Sequence, residues 1–536
     1  MRSRHRTLAA LAAATLSVAL LPVLGAPPSA ARPATTASTI AWGDCADAFF
    51  VQIGLQCATV DVPLDHDRPG GPSVHLAVTR RAHTSSDADY QGVVLVNPGG
   101  PGGSGTIMPI ISYFLPDDVA AAYDWIGWDP RGVGQSTPAL SCDASYLDPV
   151  RPPYEPFAPG IEQTWLQRSA GYAAACGAAG GDLLRHVKTI DTVRDMDSLR
   201  VALGRDKINY YGYSYGTYLG QVYATQYPNR VRRMILDSNV QASRVWEKSN
   251  LDQNVGFEKV MQVWYGWMAS YDSVYHLGST AARVERTVLR TRARLAAHPL
   301  DGLGAAEFTD VLLNAGYYQP SWPGLSTALA ALVNDGDSVP LLQGYSSGDD
   351  NFYAMYLATE CTDAPWSRNW NVWRAESRAS YRKAPFNTWG NAWYNAPCAF
   401  WPARAGRAPT VRGSASLPPI LLIDQTLDGA TPFQGSLEAR RLFPTARLIA
   451  VLGGTSHATS PDGNPCVDPQ IADYLRTGAI VDRKRGGGAD TTCAALPQPV
   501  PDELAGPTPL RSSGVSSQVL QRAKMKAVLE ALLHRA

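Results

Sequence analysis

Residues Tyr210 to Gly220 read YYGYSYGTYLG, a serine with a glycine two places to either side. The centre of this stretch, Gly212-Tyr213-Ser214-Tyr215-Gly216, fits the Gly-x-Ser-x-Gly pattern of a nucleophile elbow, where a strand turns sharply into a helix and presents its serine at the apex. Glycines are wanted on both sides because side chains there would collide in the tight turn. Five residues are a weak signal alone, but the flanks agree. "KINYY" before the turn is strand-like, and "GTYLGQVYATQYP" after it has helical spacing that runs into a proline. The start of such a helix brings N–H groups and a positive dipole end to the reacting centre.

The same strand–helix rhythm extends outward. "CATVDVPLDH" and "SVHLAVTRRAH" alternate as early strands, "GVVLVNPGGPGGSG" is an apolar strand ending in a glycine loop, and "YDWIGWDPRGVGQS" is a strand and turn. "KTIDTVRDMDSLRVALG" is helical with a glycine stop, and "VRRMILDSN" is the next strand. This alternation predicts an α/β fold with a doubly wound, mostly parallel sheet. From about Val240 to Pro409 the rhythm stops. That segment holds ten of the fourteen tryptophans and reads as an inserted α-helical cap, with most of those rings packed between helices and a few lining a cleft. The sheet resumes with "LPPILLIDQTLDGATP" and "ARLIAVLGGTSHAT", and "VSSQVLQRAKMKAVLEALLHRA" closes the chain as an amphipathic helix. The expected organisation is 1–34 as a signal peptide with any short pro-segment, 35–239 as the first part of the core, 240–409 as the cap and 410–536 as the rest of the core.

A serine needs a base beside it, and the base needs a group that orients it. Asp428 falls in the loop after one late strand and His457 in the loop after the next, at the strand ends where open sheets carry their sites. The order Ser214, Asp428, His457 is that of an α/β-hydrolase triad. Asp424 is the alternative acid, but it lies inside the apolar run rather than at its end. An acyl-transfer site also needs an oxyanion hole. The backbone N–H of Tyr215 supplies one donor and that of Gly100, with Gly99 its neighbour, the other. The glycine loop lacks the Lys-Ser/Thr of a phosphate-binding loop.

Bulk properties exclude several classes. Basic and acidic residues number 47 each, so nothing points to nucleic acid or an anionic membrane. No Cys-x-x-Cys or His-x-x-x-His spacing supports a metal, and no cofactor is expected. Arg2, Arg4 and Arg6 followed by an apolar run to about Gly25 mark a secretory signal, hence export, with no later membrane span. The eight cysteines then read as four disulfides. Pairing neighbours gives Cys45–Cys57, Cys142–Cys176, Cys361–Cys398 and Cys466–Cys493 as a guess that the sequence does not decide.

Taken jointly, "GGPGGSG", "WDPRGVGQS", "GYSYGTYLG", "DGATP" and "GGTSH" resemble the proline-iminopeptidase-like branch of the α/β-hydrolases. Within it, "CATVDVPLDHDRP" and the late Asp-x-x-Thr-Pro resemble the exported bacterial tripeptidyl aminopeptidases. The resemblance covers nearly the whole mature chain. It implies a secreted serine exopeptidase that takes short peptides, tripeptides or tetrapeptides, from free N-termini; separately, a monomer is expected. Where iminopeptidases commonly carry His-Gly-Gly-Pro-Gly, this chain has Pro98-Gly99-Gly100-Pro101-Gly102, so backbone donation survives and any role of that histidine does not. Cap carboxylates bind the substrate amine in the resembling family; Glu360 and Asp363 in "ATECTDAP" are the candidates here, against a plain surface or disulfide-supporting role. An esterase or lipase with the same triad, and an inactive binding protein on the same fold, remain the competing readings.

Overall fold

Short aliphatic and aromatic runs build the centre of the molecule. The computed structural model describes residues 40–504; the assigned signal peptide and the assigned C-terminal amphipathic helix lie outside them. Ten strands form one sheet: β1 (Gly43–Asp44), β2 (Gln56–Pro63), β3 (Ser73–Arg81), β4 (Val93–Asn97), β5 (Asp124–Trp128), β6 (Ile208–Tyr213), β7 (Val231–Asp237), β8 (Ile420–Gln425), β9 (Ala446–Leu452) and β10 (Thr491–Ala494), in the order β1-β2-β3-β5-β4-β6-β7-β8-β9-β10. From β5 to β10 every neighbouring pair is parallel, while β1, β2 and β3 add an antiparallel edge. The composition of the strands explains the split. "VVLVN" and "INYYGY" are buried along their whole length, as strands covered on both faces must be, whereas "SVHLAVTRR" alternates over its first half. Separate apolar clusters fill the two faces.

The order β5-β4-β6 contains a reversal: the chain steps outward from β4 to β5 and returns on the other side as β6. A crevice opens at the carboxyl ends of strands at such a point. The glycine loop leaves β4 there, and the Ser214 turn leaves β6.

The described helices include α1 (Ile161–Gly180), α2 (Thr189–Ala202), α3 (Tyr215–Gln226), α4 (Glu247–Ser270), α5 (Ala305–Tyr317) and α6 (Asp350–Asp363). Between β7 and β8 every described regular element is helical, and these helices enclose an apolar core of their own around Trp264, Trp322 and Phe308. α1 was not legible in the sequence. Its "AGYAAACGAAG" half is small on all sides and shows no apolar stripe to count. In the fold it joins the cap side: Trp165 stacks on Trp393 with centroids 5.8 Å apart. The disulfides are Cys45–Cys57, Cys142–Cys176, Cys361–Cys398 and Cys466–Cys493, each cysteine bonded to its next neighbour along the chain. No described helix is long and apolar enough to cross a membrane.

Candidate active site

Ser214 stands alone between β6 and α3 with φ 53° and ψ −124°. A residue with a Cβ held at positive φ costs about 1–3 kcal/mol, so neighbours must enforce it. The Ser214 N–H donates to the Asp237 carbonyl at 3.1 Å, and the Thr217 N–H and hydroxyl both donate to the Ser214 carbonyl, at 2.8 and 2.6 Å. The motif glycines answer to close approach. A Cβ on Gly212 would sit 2.5 Å from the Gly216 carbonyl oxygen, and one on Gly216 would sit 2.8 Å from both the carbonyl and the side-chain oxygen of Asn97. Ser214 is half-buried.

Asp428 and His457 are each 2% exposed. The Asp428 Oδ2 meets His457 Nδ1 at 2.7 Å. The same carboxylate accepts the N–H groups of Ala430 and Thr431, both at 2.8 Å, and the Thr431 hydroxyl at 3.1 Å, so its orientation is set before the histidine is considered. The His457 N–H donates to the Tyr317 carbonyl at 2.8 Å. Asp424 is elsewhere: it accepts the Ser436 hydroxyl at 2.6 Å, and burial together with the charge of Asp428 holds its carboxyl well above the usual carboxylate range. Among the described residues the Ser214 hydroxyl makes no hydrogen bond. Nucleophile–base contacts are often long in the free enzyme and tighten with substrate.

The glycine loop lies directly on the elbow. A Cβ on Gly99 would be 2.6 Å from the Tyr213 carbonyl oxygen, 2.9 Å from the Ser214 Cβ and 3.0 Å from the Tyr215 nitrogen. The Gly99 N–H is used by the Asn97 side chain at 3.0 Å. The N–H groups of Gly100 and Tyr215 have no acceptor among the described residues. Sequence reading missed what holds this loop in place. Asp129, from "WDPRGVGQS", accepts the Ser104 hydroxyl at 2.6 Å and the N–H groups of Gly105, Thr106 and Gln135 at 2.9, 3.3 and 2.8 Å. A buried carboxylate collecting four donors is what a glycine-rich loop needs to be rigid; the signal available was an Asp directly after an apolar strand.

The two cap carboxylates part company. Asp363 is saturated by Thr189 (N–H at 2.7 Å, hydroxyl at 2.5 Å) and by the Trp246 indole at 3.1 Å, and Thr189 in turn meets the Tyr215 hydroxyl at 2.9 Å. Burial raises its carboxyl to about 6, against those hydrogen bonds. Asp363 therefore props the ring of Tyr215 and the start of α2. Glu360 is 3% exposed and receives the Asn250 amide at 3.1 Å. Burial pushes its carboxyl up to about 8, opposed by hydrogen bonds from Asn250 and Tyr356 and reinforced by Asp363. Its helix, α6, rests on the glycine loop: a Cβ on Gly102 would be 2.5 Å from the Phe352 carbonyl oxygen and 3.1 Å from the Tyr356 nitrogen. The Tyr317 ring lies edge-on to His457 with ring centroids 5.9 Å apart.

The family model described as alpha/beta hydrolase fold matches residues 92–458. Tripeptidyl aminopeptidase of Streptomyces lividans is 39% identical over 500 residues, covering 89% of this chain and 90% of that protein. Serine protease Hip1 of Mycobacterium tuberculosis is 31% identical over 450 residues, 79% of this chain and 85% of that one. A protein named carboxylesterase B from the same organism is 31% identical over 449 residues, with the same coverage of 79% and 85%. The chain belongs to the α/β-hydrolase fold family and, within it, to the serine peptidases related to the tripeptidyl aminopeptidases.

Proposed function

We propose that the protein is a secreted exopeptidase that releases short peptides, tripeptides first among them, from free N-termini, with Ser214, His457 and Asp428 as its triad. The observation that carries this reading is one crevice edge bringing together a strained serine, a buried His–Asp pair and two unpaired backbone N–H groups, with a buried carboxylate on the helix that covers the glycine loop. In the acylation step the Ser214 Oγ attacks the scissile carbonyl carbon and its proton passes to His457 Nε2. Asp428 keeps Nδ1 protonated and stabilises the imidazolium. The carbonyl oxygen becomes an oxyanion facing the N–H groups of Tyr215 and Gly100. His457 returns the proton to the departing amine as the C–N bond breaks. Water, deprotonated by His457, then attacks the acyl carbon; the ester bond to Ser214 Oγ breaks, His457 returns the proton to Oγ, and the short N-terminal peptide leaves with a new carboxylate. Glu360 is the anchor for the substrate ammonium, and its distance from Ser214 along the cleft sets the number of residues removed.

Two measurements test this. Ser214→Ala is expected to lower kcat by about 10⁴-fold or more, and near-full activity would end the reading. Free and N-acetylated tripeptide anilides are compared next; equal rates would remove the amine anchor. The relative named carboxylesterase B supports a second reading, an esterase with the same triad, which predicts preference for esters and indifference to acetylation.

A further inference from the structure

The triad explains why Asp428 is buried, but a second carboxylate lies just as deep between its members. Asp237 ends β7, paired with Tyr213 on one side and Ile423 on the other, and is 2% exposed. Its carbonyl accepts the Ser214 N–H at 3.1 Å. Its Oδ2 accepts both donors of Ser460, the N–H at 2.8 Å and the hydroxyl at 2.5 Å, three residues beyond His457. The next residue, Ser238, directs its hydroxyl to Asp237 Oδ1 at 3.2 Å and accepts the Ala458 N–H at 2.8 Å. The Ser460 carbonyl is taken by the hydroxyls of Tyr213 at 2.5 Å and Tyr211 at 2.9 Å, both on the strand that delivers Ser214.

These bonds act on strained backbone. Ser238 and Ala458 have φ of 64° and 53°, a region that favours glycine, and they face each other through the Ala458 N–H. The far side of His457 is fixed by Asp428 and by the Tyr317 carbonyl. The near side is fixed by this cluster.

We propose that Asp237 is a positioning residue for the reaction: with Ser238 it clamps the loop after His457 onto the Ser214 elbow and so fixes the reach of the imidazole to the serine. A carboxylate suits the task because three donors converge on it, and an ionised carboxylate accepts at both oxygens with no O–H of its own to place. Burial raises the Asp237 carboxyl to about 6, while the Ser460 hydrogen bonds and the nearby His457 lower it and Asp462 raises it. The other groups facing it are Asp424 on β8 and the Tyr211 and Tyr213 hydroxyls on β6.

The inference rests on Ser214 and His457 as the reacting pair, so Ser214→Ala is run beside the test. Asp237→Ala is expected to lower kcat by about 100-fold, the scale of a catalytic group displaced by an ångström, with KM for a free-amine tripeptide anilide within about twofold of the parent. Ser460→Ala is expected to show the same pattern less strongly, and the double variant to be no slower than Asp237→Ala, because the two act through one contact. The acid limb of kcat, steepened in the parent by Asp237 protonation, becomes shallower in Asp237→Asn. Should Asp237→Ala fail to fold, Ser460→Ala and Tyr213→Phe carry the test by their kcat. A folded Asp237→Ala or Ser460→Ala with parental kcat, or a loss confined to KM, overturns the proposal. If Ser214→Ala is active, the triad itself fails; if it is inactive while the clamp variants are not, only this inference does.

Discussion

At the scale of single residues, the site depends on carboxylates whose positions in the sequence are alike and whose surroundings are not. Asp363 spends both oxygens on Thr189 and Trp246. Glu360, three residues earlier, receives the Asn250 amide at 3.1 Å, and its raised carboxyl records the cost of burying it. That cost has a sign. An unfolded glutamate ionises at about 4.3, whereas folded Glu360 does so at about 8. Between those values the folded chain holds a proton that the unfolded chain releases, so this group lowers stability as pH rises through that window. Glu360→Gln is therefore expected to melt above the parent, with a margin that widens from pH 5 to pH 8 in thermal scans. The same variant should lose about 100-fold in kcat/KM toward free-amine substrates, as when one partner of a buried charge pair is removed.

At the scale of elements, loops at the strand ends and one cap helix lie in close contact. The β4 loop lies on the elbow through Gly99, α6 lies on that loop through Gly102, and Asp129 at the end of β5 binds it from beneath. Gly99 has φ 102° and no room for a methyl group. Gly99→Ala is expected to destabilise the protein, since alanine at positive φ is strained, and to lower kcat by about 100-fold through a shifted oxyanion donor. Denaturant melts and steady-state kinetics on the same preparation separate the two effects. The helix α6 has a further tether: the Cys361–Cys398 bond joins it, beside Glu360, to the turn Ala396–Ala399.

At the scale of the whole molecule, the proposed triad lies at strand ends of the sheet and the proposed amine anchor on a helix between β7 and β8. Binding an ammonium to Glu360 needs one proton shared between two groups that both titrate near pH 8, the substrate amine at about 8 and the carboxyl at about 8. Below that range Glu360 is protonated and above it the amine is neutral. The expected kcat/KM for a free-amine tripeptide is a bell centred near pH 8, and Glu360→Gln should remove the binding contribution to its shape. A KM flat across pH 7 to 9 would contradict the anchor.

Much of this was written locally. Gly212, Ser214 and Gly216, with a strand-like run before them and a helical one after, favour a sharp turn, and the apolar runs before Asp428 and His457 place those residues at strand ends, because strand and turn preferences act over a few residues. Which carboxylate meets His457, which cap acid is already satisfied, and that Asp129 and Asp237 serve the loops beside Ser214 were decided only by the tertiary structure. The physical reason is that a buried carboxylate takes its role from the donors that reach it. Here those donors come from far along the chain, as with Thr189 for Asp363, 174 residues away, and Ser460 for Asp237, 223 away.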